Sequence, residues 1–404
     1  MKCIDCAICL CYHCNMLFDL KKRERTEGTM GGRNYGIDLL RLLAMFFVVL
    51  LHQLLLSGGL EPGGLPQVYG VFWLLEVVAY GATDLFALIS GYVGYREKGK
   101  RHKPSNLLFL WAQGIFYGVA VALLFCALSP WPVGWRDVLQ GAFPLLTNRY
   151  WYLTAYMGLF FFMPVLDAAV RGLSSKTLAR LFGAMTVVFS FVPTFTWVNF
   201  NLAEGYSLIW LMILYFFGAV IKKCRWEERC SRKQCILAWG GLLGLTWVCK
   251  ILSLDKNFSL GGIPLLRCSG DGLVSYCSPT ILLSAVCLLL LFSRCNLPQK
   301  LGASIARWSS GAFGVYLLNL HPCVWAYVLP WTRRYVGEKK RSVAGGGHVG
   351  FQLSVPDRRG GAGSAPGAAV PGPGAGAGHP GHRRRFPPAK DKRTIKKEAA
   401  RPLL

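Results

Sequence analysis

Long apolar blocks separated by short polar stretches dominate the amino-acid sequence. A helix needs about 20 predominantly apolar residues to cross a bilayer, and most of the blocks reach that length. Since lipid offers the backbone no hydrogen-bond partner, each block must be a helix or a strand of a closed barrel. Barrel strands alternate polar and apolar positions, which these blocks do not. The pattern therefore predicts an all-α, polytopic helical membrane protein with nine transmembrane helices, at residues 37–57, 69–94, 106–128, 150–167, 181–198, 206–221, 236–253, 280–293 and 311–331.

Basic residues between the blocks predict how the chain is oriented. The stretches 21–41, 95–105, 168–180, 222–233 and 294–307 hold 23 Lys or Arg, whereas the intervening stretches hold four. Lys and Arg concentrate in the cytoplasmic loops of membrane proteins. We therefore expect a multi-pass protein of the plasma (inner) membrane with a cytoplasmic N-terminus, and the lipid bilayer as a partner.

Composition and charge argue against two function classes. Hydrophobic residues make up 53% of the 404 and charged residues 16%, whereas about a quarter of a soluble globular chain is charged. The formal net charge of +25 first suggests a nucleic-acid partner. However, 16 of the 45 Lys and Arg lie in residues 332–404, and the others are concentrated between apolar blocks. This placement is typical of membrane topology, so we expect no nucleic-acid partner.

Both ends of the chain differ from the membrane domain, which we place at residues 30–331. Residues 360–381 are Gly, Ala or Pro at 19 of 22 positions. Such a segment buries too little apolar surface to offset the entropy of ordering, so we expect residues 332–404 to be disordered. With nine helices this basic tail would lie outside, against the positive-inside rule. A missing tenth helix and a reading frame shifted near Arg333 would explain this; a genuine tail that binds anionic lipid headgroups is the alternative.

Residues 1–29 form a Cys-rich extension. Its clustered candidates for metal binding are Cys3, Cys6, Cys9, Cys11, His13 and Cys14. Zinc takes four such ligands in a tetrahedron, but the spacing here is crowded and no second cysteine pair follows at zinc-finger distance. We therefore expect no metal site and interpret the segment as a non-native extension upstream of a second start at Met30.

The first predicted helix carries three ionisable side chains in a largely apolar sequence. Eleven residues separate Arg41 from His52, which places the two about 20° apart around the helix and about 16 Å apart along it. Asp38 lies one turn before Arg41 and can pair with it. An imidazole suits general-base catalysis and a guanidinium suits an anionic donor. The alternative is a histidine satisfied by a neighbouring helix and an arginine that only extends to the interface.

The second predicted helix and the basic loop after it form another candidate site. Asp84 lies in mid-helix, where a carboxylate is costly in lipid and could hold an imidazole or a cation. Arg96 and Arg101 belong to a run of basic residues that could bind phosphate groups. Basic loops also occur simply because they set membrane orientation, and that interpretation stays open.

Five stretches resemble, in the right order, the membrane-bound acyltransferase 3 family, whose members O-acylate cell-surface carbohydrates. Arg41 and His52 have the family's R-x10-H spacing in the first helix, and ATDLFALISGY (82–92) is similar to its second-helix signature. The other three are RYWYLTAYMGLFFFMPVLD (149–167), YFFGAVIKK (215–223) and GAFGVYLLNLHP (311–322).

The resemblance implies ten helices and an acyltransferase with no tightly bound cofactor. Acyl-CoA, most simply acetyl-CoA, would be the donor substrate on the cytoplasmic side, and a carbohydrate hydroxyl near the outer face would be the acceptor. His52 would be the catalytic imidazole, with Arg41 and its neighbour Asp38 along the donor channel. The donor would be bound by Arg41, Asp84, Arg96 and Arg101, although the spacing of the last two is R-x-x-x-x-R where the family has R-x-x-R.

The last predicted helix supplies three candidates for the acceptor side, Tyr316, Asn319 and His321. His321 precedes a proline, which frees a backbone carbonyl in mid-helix, so the histidine could instead only satisfy that carbonyl. Trp151 and Tyr152 lie near a helix end, where aromatic residues more often anchor the interface than contact substrate. A secondary transporter of the plasma membrane and an inactive, truncated acyltransferase remain the alternatives for the whole chain, although no paired halves indicate a transporter.

Overall fold

The computed structural model describes residues 33–60, 66–99, 102–128, 133–253 and 270–330. The Cys-rich extension and the tail predicted to be disordered both lie outside these described residues. Within the described part every regular element is helical, which agrees with the predicted all-α class. The helices are α1 (Tyr35–Ser57), α2 (Pro66–Tyr80), α3 (Ala82–Gly94), α4 (Pro104–Ala127), α5 (Trp135–Ala142), α6 (Trp151–Gly172), α7 (Ser175–Thr186), α8 (Val192–Phe195), α9 (Leu208–Cys224), α10 (Trp226–Arg229), α11 (Arg232–Leu252), α12 (Pro279–Ser293), α13 (Gln299–Ser310), α14 (Ala312–Asn319) and α15 (Pro322–Tyr327).

Six helical stretches of the described part are long and apolar enough to cross a membrane. Two of them join elements: α2 continues into α3 over Tyr69–Gly94, and α7 continues through a π turn into α8 over Ser175–Phe195. The other four are α1, α4, α6 and α11. The chain is therefore a multi-pass membrane protein by length and composition, while the predicted number of nine spans is not confirmed.

The three remaining predicted segments are shorter or broken helices. Helix α9 has 17 residues and α12 has 15. The segment 311–331 is not one helix, because α14 ends at Asn319 and α15 begins at Pro322. Proline has no N–H to donate and its ring clashes with the preceding turn, so it begins a new helix here rather than continuing the old one.

Contacts between helix ends show which ends of the helices lie together. We call the end of the bundle at which α1 begins the proximal end and the end at which α1 finishes the distal end. At the proximal end, the Asn34 side chain donates to the Ser293 carbonyl at 2.6 Å and Lys223 Nζ donates to the Val170 carbonyl at 2.8 Å. At the distal end, Trp247 Nε1 donates to the Gly70 carbonyl at 2.8 Å.

Helix α9 lies at the centre of the bundle, packed tightly against α3. A Cβ built on Gly91 would lie 1.9 Å from the Tyr215 carbonyl oxygen, and one built on Gly218 would lie 2.0 Å from that of Leu88. Small residues at helix crossings allow backbones to approach closely inside membranes. This pair of glycines therefore fixes the position of α3, and with it Asp84, against α9.

Candidate active site

A buried carboxylate joins two arginines at the proximal end of α1. Asp38 accepts hydrogen bonds from Arg33 Nε at 2.6 Å and from an Arg41 terminal nitrogen at 2.9 Å. Ser309 of α13 donates to the same carboxylate at 3.4 Å. The Asp38 side chain is buried, whereas that of Arg41 is 31% exposed. Two guanidinium groups on one carboxylate leave a net positive site, which suits an anionic ligand.

The Asp38–Arg41 pair was predicted from helix spacing and is present. Arg33 was not predicted, because it precedes the helix and its five-residue separation from Asp38 is not a helical spacing. The sequence offered one indication of this contact, the capping residue at the start of the helix. Asn34 caps α1 by accepting a hydrogen bond from the Ile37 amide, so the preceding residue, Arg33, lies close to the first turn.

His52 contacts Asn319 at the other end of the helix face. Its Nδ1 lies within hydrogen-bond distance of the Asn319 amide oxygen, and its ring meets the Trp325 ring edge-on, with centroids 5.1 Å apart. An amide oxygen only accepts, so Nδ1 carries the proton and the lone pair resides on Nε2. Asn319 therefore holds the imidazole in the tautomer that can accept a proton at Nε2. Asn319 was predicted as an acceptor-side residue, and the structure places it against the imidazole.

Three tyrosines form a row that begins near Arg41 and ends one helical turn from Asn319, the partner of His52. Tyr156 is an electrostatic neighbour of Arg41 and bonds to Ser90. Its ring stacks on Tyr152 with centroids 6.1 Å apart, and the Tyr152 amide donates to the Tyr316 hydroxyl at 3.2 Å. Tyr316 precedes Asn319 by one turn of α14, so the row ends close to the partner of His52. Tyr152 thus packs inside the bundle, although its place near a helix end favoured an interface anchor.

Asp84 is fully buried and bonds to an indole. Its Oδ1 accepts from Trp210 Nε1 at 3.0 Å, while Oδ2 has no hydrogen-bond partner among the described residues. The sequence had suggested that Asp84 could hold an imidazole or a cation, and the structure places an indole there instead. Spacing within α3 could not indicate Trp210, which is 126 residues away in sequence.

The basic loop after α3 contributes a largely buried histidine as well as its cations. Arg96 is exposed, and Arg101 lies outside the described residues. His102 Nε2 lies 2.9 Å from Asp167 Oδ2, and the Tyr215 hydroxyl donates to Asp167 Oδ1 at 3.1 Å. Sequence reasoning missed this contact, since nothing in a basic loop distinguishes one histidine that folds inward.

Comparison with known proteins decides the family. Residues 34–338 match the model of the acyltransferase domain, Acyl_transf_3, which covers most of the chain. The chain belongs to this family. It is therefore a membrane acyltransferase in general terms, as the five resembling stretches predicted. Searches of curated proteins and of solved structures found no significant match.

His321 of this acyltransferase is fully buried, and backbone groups occupy both of its ring nitrogens. Nε2 lies 3.1 Å from the Gly118 carbonyl, and Nδ1 accepts from the Cys323 amide at 3.2 Å. The side chain thereby caps α15. The sequence suggested a carbonyl of its own helix as the partner, but Gly118 belongs to α4. The histidine therefore links the interruption between α14 and α15 to a neighbouring helix.

No metal cluster forms within the part of the acyltransferase that the structure describes. There, no three His, Cys, Asp or Glu side chains lie close enough to share an ion. The cysteines of residues 1–29 lie outside that part, so the structure does not bear on them.

Proposed function

We propose that this protein transfers an acetyl or similar small acyl group from acyl-CoA to a hydroxyl of a cell-surface or exported carbohydrate, with His52 as the general base. The observation that carries the proposal is the contact of His52 with Asn319, because it leaves Nε2 ready to accept a proton. In this scheme acyl-CoA is a substrate, and no cofactor is tightly bound.

The donor would enter from the proximal end. Its phosphates are multiply charged and would stay at the positive group formed by Arg33, Arg41 and the loop that carries Arg96 and Arg101. The pantetheine arm is long, thin and weakly polar, so it suits the tyrosine row from Tyr156 to Tyr316. The rise of about 16 Å between Arg41 and His52 separates the phosphates from the reacting thioester.

A single base is sufficient for all the proton transfers of the reaction. Nε2 of His52 takes the proton of the acceptor hydroxyl as its oxygen attacks the thioester carbonyl. The carbon–sulfur bond then breaks, the ester forms, and the leaving thiolate takes the proton from the imidazolium. Asn319 keeps the ring oriented throughout, and a positioned base of this kind contributes about 10²–10⁴-fold in rate.

The proposed scheme also predicts how the protein is oriented in the membrane. Most loop arginines and lysines lie at the proximal end, which the positive-inside rule places in the cytoplasm, where acyl-CoA is available. The N-terminus would then be cytoplasmic and the distal end would face outward from the plasma (inner) membrane, toward the carbohydrate.

The test is acyl transfer by the full chain in membranes, with radiolabelled acetyl-CoA and an extract of surface glycans. His52→Ala is expected to lose transfer by about 10²-fold or more. Phe46→Ala is the matched control, because Phe46 lies on the same helix, is 61% exposed, and touches neither polar site. Undiminished transfer by His52→Ala at equal expression would overturn the proposal.

A further inference from the structure

At the distal end of the bundle two helices are too short to cross a bilayer, which would leave irregular backbone at membrane depth. Helices α9 and α12 are about 25 Å and 22 Å long, shorter than a hydrocarbon core of about 30 Å. Both helices end at the proximal end, where Lys223 and Ser293 make the contacts described above. Their first residues therefore lie short of the distal end. Non-helical backbone at such depth occurs only where it is buried in protein or lines a polar cavity.

Aromatic side chains line the distal region in which α9 and α12 begin. The rings of Tyr80 and Tyr276 have centroids 4.7 Å apart, those of Tyr206 and Tyr276 are 5.2 Å apart, and those of Trp151 and Tyr206 are 4.7 Å apart. Tyr80, Trp151 and Tyr206 are partly exposed, whereas Tyr276 is buried. We call these four residues the distal aromatic cluster.

Carboxylates surround this cluster. Glu76, Asp84 and Glu204 are electrostatic neighbours of the Tyr80 hydroxyl, and Glu76 and Glu204 also of Tyr206. Glu204 is exposed at the rim, in a backbone conformation with φ of 55°. Within the described part, the strongest electrostatic neighbours of these tyrosines are carboxylates and other tyrosines.

Two of the carboxylates are buried and incompletely bonded. Glu76 Oε2 and Asp84 Oδ2 have no hydrogen-bond partner among the described residues. Leaving a buried acceptor without a partner costs about 1–3 kcal/mol, and more for a charged group. An intramembrane ionisable group in this condition is a candidate for a functional site, and a ligand hydroxyl or ammonium group would supply the missing donor.

The cluster also joins the row of tyrosines that leads to His52. Trp151 and Tyr152 have ring centroids 5.4 Å apart, and Tyr152 is an electrostatic neighbour of Asp84. A ligand on the Trp151 side of the cluster would therefore lie next to Tyr152, the middle member of the tyrosine row.

We propose that the distal aromatic cluster, with Glu76, Asp84 and Glu204, is the acceptor subsite and that it selects a neutral or amino sugar over an anionic one. Aromatic faces bind the apolar faces of sugar rings, and the carboxylates accept hydrogen bonds from hydroxyl or ammonium groups. A sugar carboxylate would meet the negative charge of Glu204 at the rim and would bring no hydrogen-bond donor to the buried acceptors, and both effects are unfavourable. This inference rests on the proposed acyl transfer.

The test compares three acceptors of one stereochemistry, methyl glucoside, methyl glucosaminide and methyl glucuronide, with radiolabelled acetyl-CoA and the full chain in membranes. We expect transfer to the first two with kcat/KM at least about 10-fold above that for the glucuronide. Glu204→Gln should raise the relative rate for the glucuronide. Trp151→Ala should raise KM for the sugars by about 10-fold or more and leave KM for acetyl-CoA unchanged.

The control variant is Glu228→Gln, which removes an exposed carboxylate at the proximal end and should change neither selectivity nor KM. Equal or preferred use of the glucuronide by the unmodified chain would overturn the inference. So would no transfer to any of the three sugars while acetyl-CoA is turned over in a His52-dependent way. Turnover that does not depend on His52 would instead defeat the acyl transfer proposed above, so the two failures are distinguishable.

Discussion

His102 and Asp167 are 65 residues apart in the sequence, and their side chains meet at 2.9 Å between Nε2 and Oδ2. The loop after α3 is thereby tied to α6, and Tyr215 ties the same carboxylate to α9. His102 also packs edge-on against the Phe160 ring, with centroids 6.1 Å apart. Because Arg96 belongs to this loop, the contact helps to set where that cation lies relative to the rest of the bundle.

His102→Ala should therefore weaken donor binding more than it slows the chemical step. We expect KM for acetyl-CoA to rise by about 5- to 10-fold, with kcat changed less than 2-fold, because a loosened loop loses orientation and not the base. His102→Gln, which can still donate to Asp167, should recover most of the affinity. Steady-state kinetics in membranes checks this, and a fall in kcat at constant KM would contradict it.

Arg41 should act on the nucleotide part of the donor. Arg41→Ala should raise KM for acetyl-CoA by about 10-fold or more, because a charge-assisted hydrogen bond contributes about 1.5–3 kcal/mol. The same variant should use acetyl-pantetheine, which lacks the nucleotide phosphates, nearly as well as the unmodified protein does. Arg307→Ala is the matched control, since this exposed arginine of α13 lies at the same end. An equal effect on both donors would show that Arg41 does not bind phosphate.

Asn319 should affect the rate through the orientation of His52. Asn319→Ala removes the acceptor at Nδ1, so the ring can turn or change tautomer, and we expect kcat to fall by about 10- to 100-fold with KM for acetyl-CoA unchanged. Asn319→Gln retains the amide but misplaces it, so its kcat should lie between those of Asn319→Ala and the unmodified protein. Comparing kcat and KM for the three proteins tests the role; if kcat in Asn319→Ala matches the unmodified value, Asn319 does not position the imidazole.

The glycine contact between α3 and α9 should determine thermal stability. Gly218→Ala inserts a Cβ at 2.0 Å from the Leu88 carbonyl, and overpacking of this kind costs about 1–3 kcal/mol. We expect a lower midpoint of thermal unfolding in detergent. Gly183→Ala is the control, because no atom lies within 4 Å of a Cβ there and alanine favours the helix. Equal midpoints for the two variants would mean that the helices can separate at little cost.

Orientation can be tested with single reporter cysteines. Leu146 is exposed in the distal loop between α5 and α6, and Glu228 is exposed in the short proximal helix α10, so Leu146→Cys and Glu228→Cys report on opposite ends. In intact cells a membrane-impermeant maleimide should add label to the first variant, and to the second only after permeabilisation. The unmodified chain supplies the background of its own thiols, and the reverse labelling would invert the proposed topology.

The features that the sequence determined are those contained within one helix. Apolar length located the first helix at 37–57 against Tyr35–Ser57 in the structure, and helical spacing placed Asp38, Arg41 and His52 on one face. These predictions succeed because lipid forces the backbone to bond within the helix, so periodicity alone orders its side chains.

Only the tertiary structure decided which residues meet across helices. It brought Asn319 to His52 over 267 positions and Trp210 to Asp84 over 126, and it divided the segment 311–331 at Pro322. It also showed that α9 and α12 begin short of the distal end, where the aromatic cluster lies. Such contacts depend on how whole helices pack and on where glycines let them approach, and no local pattern in the chain carries that information.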